Sequence, residues 1–205
     1  MVKTCHLLKG LNLMKNKVAI VGSGNIGWAL KKLLQDDYEV SQGDITDGLD
    51  ATDVRQVEQF LDGMEAVISA GPYAVNKNIA KVAAEKNIGY FDLTEDVDTT
   101  EFIKGLKSES VLMPQCGLAP GAINICAASM MEKFDNVNEV LMRVGALPRF
   151  TTNEMSYYLS WSTNGLINEY CNEADAIYEG RPVKVMPLEG AEKLVIEGES
   201  FEAFN

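Results

Sequence analysis

One stretch constrains this chain more than any other. Residues 18–27 read VAIVGSGNIG, an apolar run passing without a spacer into a turn with glycine at positions 22, 24 and 27. An apolar run without alternation suits a strand covered on both faces. Beyond the turn, Ile26, Leu30, Leu33 and Leu34 fall on one helical face. A strand, a glycine turn and a helix in that order form a grip for a dinucleotide. Gly22 permits the tight turn, Gly24 lets a pyrophosphate approach the backbone, and Gly27 lets the helix pack closely. The helix start offers free N–H donors and a partial positive charge. The expected cofactor contacts are therefore Gly22, Ser23, Gly24, Asn25, Ile26 and Gly27. Asp44 lies 22 residues beyond Gly22. There it can accept hydrogen bonds from the adenosine ribose and repel a 2′-phosphate, so NAD is the expected cofactor and NADP the alternative. FAD and S-adenosylmethionine are rival ligands of such a turn, and a plain turn aspartate is the rival role for Asp44.

The remainder alternates strand and helix. Residues 38–41, 66–70, 90–93 and 111–113 read as further strands. Helices are expected over 53–63, with Asp53 at the start, over 74–86, and near 100–106. Spacing of this kind gives βαβ units and a parallel sheet. After residue 136 the character changes. Residues 140–144 and 155–162 read as half-exposed strands and 165–171 as a short helix. Residues 176–178, 183–186, 194–196 and 201–204 read as strands of an antiparallel sheet, with turns at Glu179-Gly180 and Glu197-Gly198. The fold class is thus α/β, a Rossmann-type parallel sheet over 14–135 followed by an incomplete α+β substrate domain over 136–205.

The net charge of −12 opposes binding to a polyanion, so no nucleic acid partner is expected. No apolar run reaches the roughly 18 residues that a membrane span needs. The four cysteines, Cys5, Cys116, Cys126 and Cys171, form no CxxC pair. No metal site is expected, and reduced thiols in a cytoplasmic protein are the plain reading. The sole histidine, His6, lies in a segment before Met14. Met14 is the expected natural start, so His6 receives no catalytic role.

Four stretches together resemble the saccharopine dehydrogenase family, including its lysine 6-dehydrogenase-like members. They are residues 18–27, SAGPY at 69–73, YFDLTED at 90–96 and QCGLAPG at 115–121. A fifth, WSTNGLINEY at 161–170, is similar to the opening of that family's substrate domain. The resemblance implies an oxidoreductase moving hydride between NAD(P) and the CH–NH or CH–NH2 carbon of a lysine-derived amino acid. It implies Tyr73, Asp92 and Cys116 as catalytic residues. It adds Ala70, Gly71, Pro72, Leu93 and Thr94 to the cofactor contacts, and gives Tyr73, Asp92, Trp161, Asn164 and Asn168 to the substrate. Bottom-up, Tyr73, Asp92 and Cys116 follow strand ends, where open α/β sheets bind ligands. Their plainer readings are a loop-edge tyrosine, a turn acceptor and a small buried hydrophobe. Glu95, Asp96, Glu169 and Glu173 could attract a substrate ammonium, or be solvated surface acids. The implied partners are a small amino-acid substrate and a homodimer mate or a complementing C-terminal chain. Family members are longer than this chain, so it is expected to stop within the substrate domain. A gene fragment, half of a split enzyme and a non-catalytic nucleotide-binding remnant are the three readings of that. A carboxyspermidine-type polyamine reductase is a further alternative.

Overall fold

The computed structural model describes residues 15–145, 147–150 and 163–205, without the side chains of 164, 168 and 169. The expectations placed on His6, Cys5, Met14, Trp161 and the 155–162 strand lie outside the described residues. So do the side chains of Asn164, Asn168 and Glu169.

Strand β1 (Lys17–Val21) is buried from Val18 onward. It pairs in parallel with β2 (Glu39–Gly43) on one side and β3 (Ala66–Ser69) on the other. With β4 (Gly89–Asp92) and β5 (Leu112–Met113) they form one sheet in the order β2-β1-β3-β4-β5. A central strand with neighbours on both sides and helices over its faces has no solvated side, which is why VAIV carries no polar residue. Three helices supply the crossovers between β1 and β4: α1 (Asn25–Leu34), α2 (Val54–Phe60) and α3 (Asn76–Glu85).

α2 starts where the sequence places it. The Asp53 carboxylate accepts from the Arg55 N–H at 2.9 Å, satisfying one of the orphan donors of the first turn. Val57 and Leu61 then point inward and are fully buried, with Val67, Ile79, Ala80, Ala83 and Tyr90 completing this core. α1 departs from expectation. Leu30 and Leu34 are half-buried, but Leu33 is 74% exposed and Ile26 is 50% exposed. The face turned toward β1 and β2 is centred on Gly27, whose lack of a side chain brings the helix close and leaves the outer leucine uncovered.

The chain divides into two compact units. One holds the described residues up to 91 together with Gly105–Met113; the other holds Asp92–Lys104 and the described residues from Pro114 to Asn205. In the second unit α4 (Val97–Lys104) begins with the Asp96 carboxylate accepting from the Thr99 N–H at 2.8 Å. α5 (Ala122–Met131) and α6 (Thr163–Cys171) follow. Two hairpins come next, β6 (Ala174–Tyr178) with β7 (Arg181–Val185), and β8 (Glu192–Ile196) with β9 (Glu199–Ala203). Their turns fall at Glu179-Gly180 and Glu197-Gly198 as expected. All four of these residues have positive φ, as a two-residue type I′ loop requires.

Two expectations need correction here. The hairpins are separate two-stranded sheets rather than one antiparallel sheet. Residues 140–144 form no strand. A strand needs a ladder partner, and this stretch is tethered instead by an ion pair from Arg143 to Glu192, with Nη2 to Oε2 at 2.7 Å. α5 was not foreseen at all. No helix among the described residues is long and apolar enough to cross a membrane.

Candidate functional site

The glycine turn is held by the end of β2. The Gly22 N–H donates to the Gly43 carbonyl at 2.8 Å, and the Gln42 side-chain amide donates to the Gly22 carbonyl at 3.0 Å. The Ser23 N–H donates to Asp44 Oδ2 at 2.8 Å. Three successive residues of one strand end therefore grip two successive residues of the turn.

Gly22 has φ of +109°, a conformation that a side chain strains. A Cβ there would also stand 2.8 Å from the Ala70 carbonyl carbon and 3.0 Å from the Gly71 nitrogen. The Ala70 N–H is bonded to the Val21 carbonyl at 2.8 Å, so β1 and β3 bring residues 70 and 71 against the turn. A Cβ on Gly27 would fall 2.0 Å from the Gly22 carbonyl oxygen, so the close approach there is to the turn itself. Gly24 is different. Nothing lies within 4 Å of where its Cβ would be. No fold constraint demands a glycine at 24; open space above the backbone is what an incoming phosphate group needs.

α1 starts at Asn25 with Gly24 as its N-cap, no side chain capping it and no acid in its first turn. The partial positive charge of the helix start is thus not offset by a side chain of its own first turn. A depression of about 530 Å³ lies over it, lined by Ser23, Gly24, Asn25, Trp28 and Ala29. Asp44 accepts from the Thr46 N–H and hydroxyl, both at 3.0 Å, besides the Ser23 N–H. The Thr46 N–H first, and the Ser23 N–H next, hold its carboxyl below the ordinary carboxylate range. Asp44 is thus a turn acceptor as well as the acid beside the glycine turn.

On the same unit, Pro72 leads into a 3-10 turn at Tyr73–Val75, and Tyr73 is half-buried. The loop from Ala70 to Val75 is bracketed by a buried bond, Ser69 hydroxyl to Asn76 Oδ1 at 2.7 Å. Neither Gln42 nor this Ser69–Asn76 pair was picked out from sequence. A glutamine directly before Gly43-Asp44 was the available signal for the first, and the serine that opens SAGPY with an asparagine three residues beyond it for the second.

In the second unit, Asp92 is fully buried. Its Oδ1 accepts from the backbone N–H groups of Thr94 and Gln115, both at 3.0 Å, and its carbonyl accepts from the Cys116 N–H at 2.7 Å. Asp92 therefore joins the loop after β4 to the loop after β5. Gln115 has φ of +63°, a left-handed conformation that is rare for a residue with a side chain, and the Asp92 bond helps hold it. The next five residues close on themselves. The Ala122 N–H donates to the Gly117 carbonyl at 2.8 Å, and a Cβ on Gly121 would lie 2.2 Å from that oxygen. Cys116 is half-buried, and burial first, then the Asp92 charge, push its thiol up. It is thus a neutral S–H at ordinary pH. Thr94 is buried, with its hydroxyl accepting from the Asp96 N–H at 3.1 Å, and Leu93 is half-buried.

Residues 117–205 match the family model described as the saccharopine dehydrogenase C-terminal domain. Over that stretch the chain is similar to the saccharopine dehydrogenase family. Among solved structures, the fold is similar to apo histidine-tagged saccharopine dehydrogenase (L-Glu forming) from Saccharomyces cerevisiae, with a TM-score of 0.64 and 19% identity. That match covers 92% of this chain and 49% of the yeast one, so the chain spans about half the length of that relative. A Rex-family repressor, RSP, matches with a TM-score of 0.39 and 17% identity over 58% of this chain and 61% of its own, too slight a likeness to argue from.

Proposed function

We propose that this chain binds NAD at its glycine turn and belongs to an enzyme that oxidises or forms a C–N bond of a lysine-derived amino acid. The observation that carries the first half is Gly24, where the backbone lies open over an uncapped, acid-free helix start. The residues present fit a pyrophosphate there without any lysine or arginine. Asp44 would accept from the adenosine ribose hydroxyls, and its ionised carboxylate would repel the extra phosphate of NADP. Ala70, Gly71 and Pro72 would line the same ligand, and Leu93 and Thr94 are proposed as further cofactor contacts.

The nicotinamide, when bound, supplies the hydride acceptor or donor. This chain's residues must bind the amine and handle the proton. Tyr73 and Cys116 are the groups proposed to meet the substrate, Cys116 as a neutral thiol able to donate. Asp92 acts by position, since its carboxylate is enclosed and shapes the loop that carries Cys116. Trp161, Asn164 and Asn168 are proposed as substrate contacts. Support for the reaction class comes from the family-model match over residues 117–205 and from the similarity in fold to the yeast saccharopine dehydrogenase (L-Glu forming).

Calorimetric titration of the 205-residue chain with NADH and NADPH tests the cofactor assignment; saturable binding that favours NADH is expected, and equal or no binding refutes it. Turnover with saccharopine, lysine and a polyamine precursor tests the substrate class. Tight NADH binding with no turnover on any of them would instead support nucleotide binding without catalysis.

A further inference from the structure

We infer that Gln42 is a positioning residue for the pyrophosphate-binding turn, an inference that rests on the cofactor reading above. Gln42 lies in β2, one residue from the strand's end, and is half-buried. Its side-chain amide donates to the Gly22 carbonyl oxygen at 3.0 Å. The same amide nitrogen would stand 3.1 Å from a Cβ on Gly27. It therefore sits in the small space between the first and third glycines of the turn. There it takes up the carbonyl of a residue that lies just past the end of β1 and has φ of +109°.

The chemistry is specific to an amide. The carbonyl of Gly22 needs a donor, because a backbone acceptor left unpaired beside the buried Gly27 is costly. Methionine has the length of glutamine but no donor. Glutamate has its shape, but it presents a carboxylate to a carbonyl oxygen. The bond fixes the plane of the Gly22–Ser23 peptide, and with it the direction of the Ser23 N–H and the position from which the chain enters Gly24. Asp44 holds the same turn from its Ser23 side, but in this reading it also touches the ribose. Gln42 touches the turn alone. The two residues should therefore separate in binding experiments. Losing Asp44 changes the choice between cofactors, whereas losing Gln42 weakens every ligand that carries the pyrophosphate, without changing the choice.

Gln42→Met and Gln42→Glu are tested by titration with NADH, NADPH, ADP-ribose and adenosine, alongside the thermal midpoint of the unliganded proteins. Both variants are expected to weaken NADH, NADPH and ADP-ribose by a common factor of about 3 to 10, the worth of one hydrogen bond, while adenosine is unaffected. A purely structural role would lower the thermal midpoint without distinguishing ADP-ribose from adenosine, and that outcome overturns the inference. Unchanged affinity for all four ligands in a variant of normal stability overturns it too, while leaving the cofactor reading intact. Absence of binding by the unsubstituted chain to any dinucleotide overturns both together.

Discussion

The unit around β1 and the unit that begins at Asp92 treat their apolar residues in opposite ways. In the first, Ala19, Ile20, Val57, Leu61, Val67 and Ile79 lose all contact with solvent. In the second, Ile103 is the last fully enclosed apolar residue among those described, and no described residue from 114 onward is buried. Ile125 of α5 is 72% exposed and Ile177 of β6 is 77% exposed. Secondary structure forms in both. In the first it is held by removal of apolar surface from water; in the second it rests on local means, namely type I′ turns, the Gly117–Gly121 closure and ion pairs such as Arg143 with Glu192. Surface ion pairs contribute little, so the stability of this chain is expected to reside in the sheet unit.

The sharpest test is a matched pair of truncations. Ile20→Ala in β1 should cost about 2–5 kcal/mol, the loss of transfer energy plus a cavity. Ile125→Ala in α5 should stay within about 0.5 kcal/mol, as surface changes do. Urea unfolding measures both, and comparable losses would erase the contrast. Next come the glycines. Gly27→Ala should destabilise by about 1–3 kcal/mol, because a methyl cannot share space with the Gly22 carbonyl. Gly24→Val should leave most of the fold intact yet abolish NADH binding in calorimetry. If Gly24→Val binds normally, the pyrophosphate lies elsewhere.

Asp44 sharpens the comparison at the level of charge. Its bonds form to the ionised carboxylate, which lowers its folded pKa below the ordinary 3.8. What it adds to stability is therefore present above that value and is lost only as pH falls through the lowered one. NADH affinity should accordingly show no Asp44 titration between about pH 7 and pH 5. Asp44→Ala should reduce the preference for NADH over NADPH, read as a ratio of dissociation constants. The smallest effect is in thiol labelling. At pH 8, iodoacetamide should modify exposed Cys126 and Cys171 before Cys116, whose thiol is partly enclosed and pushed up by burial. Peptide mass mapping gives the order, and Cys116 labelling first would contradict its placement.

The parts readable in sequence are those whose cause is local. VAIV announces a strand because burial on two faces forbids polar residues, and Asp53 announces a helix because its carboxylate reaches the Arg55 N–H. Glu179-Gly180 and Glu197-Gly198 announce hairpins because left-handed backbone favours glycine. Gly22, Gly24 and Asp44 were placed on similar grounds. What was not readable depended on distant neighbours. Leu33 fits an apolar stripe, but the part of α1 that meets the sheet is set by Gly27. Residues 140–144 have strand-like composition but pair with no strand among the described residues. Gln42 looks like an ordinary strand residue until the Gly22 carbonyl, 20 positions away, is placed beside it. Asp92 was legible as a turn acceptor through Thr94, whereas its hold on Gln115, 23 residues away, was not.

The triple fastening of the glycine turn to the end of β2 also bears on how quickly and at what thermal cost it can accept an anion. A loop that must first freeze gives up conformational entropy in the act of binding, often seen as a slow second phase and an unfavourable entropy. Residues 22 and 23 are already tied at three points. Their capture of a ligand should then proceed in a single kinetic phase, with little entropy lost from the backbone itself.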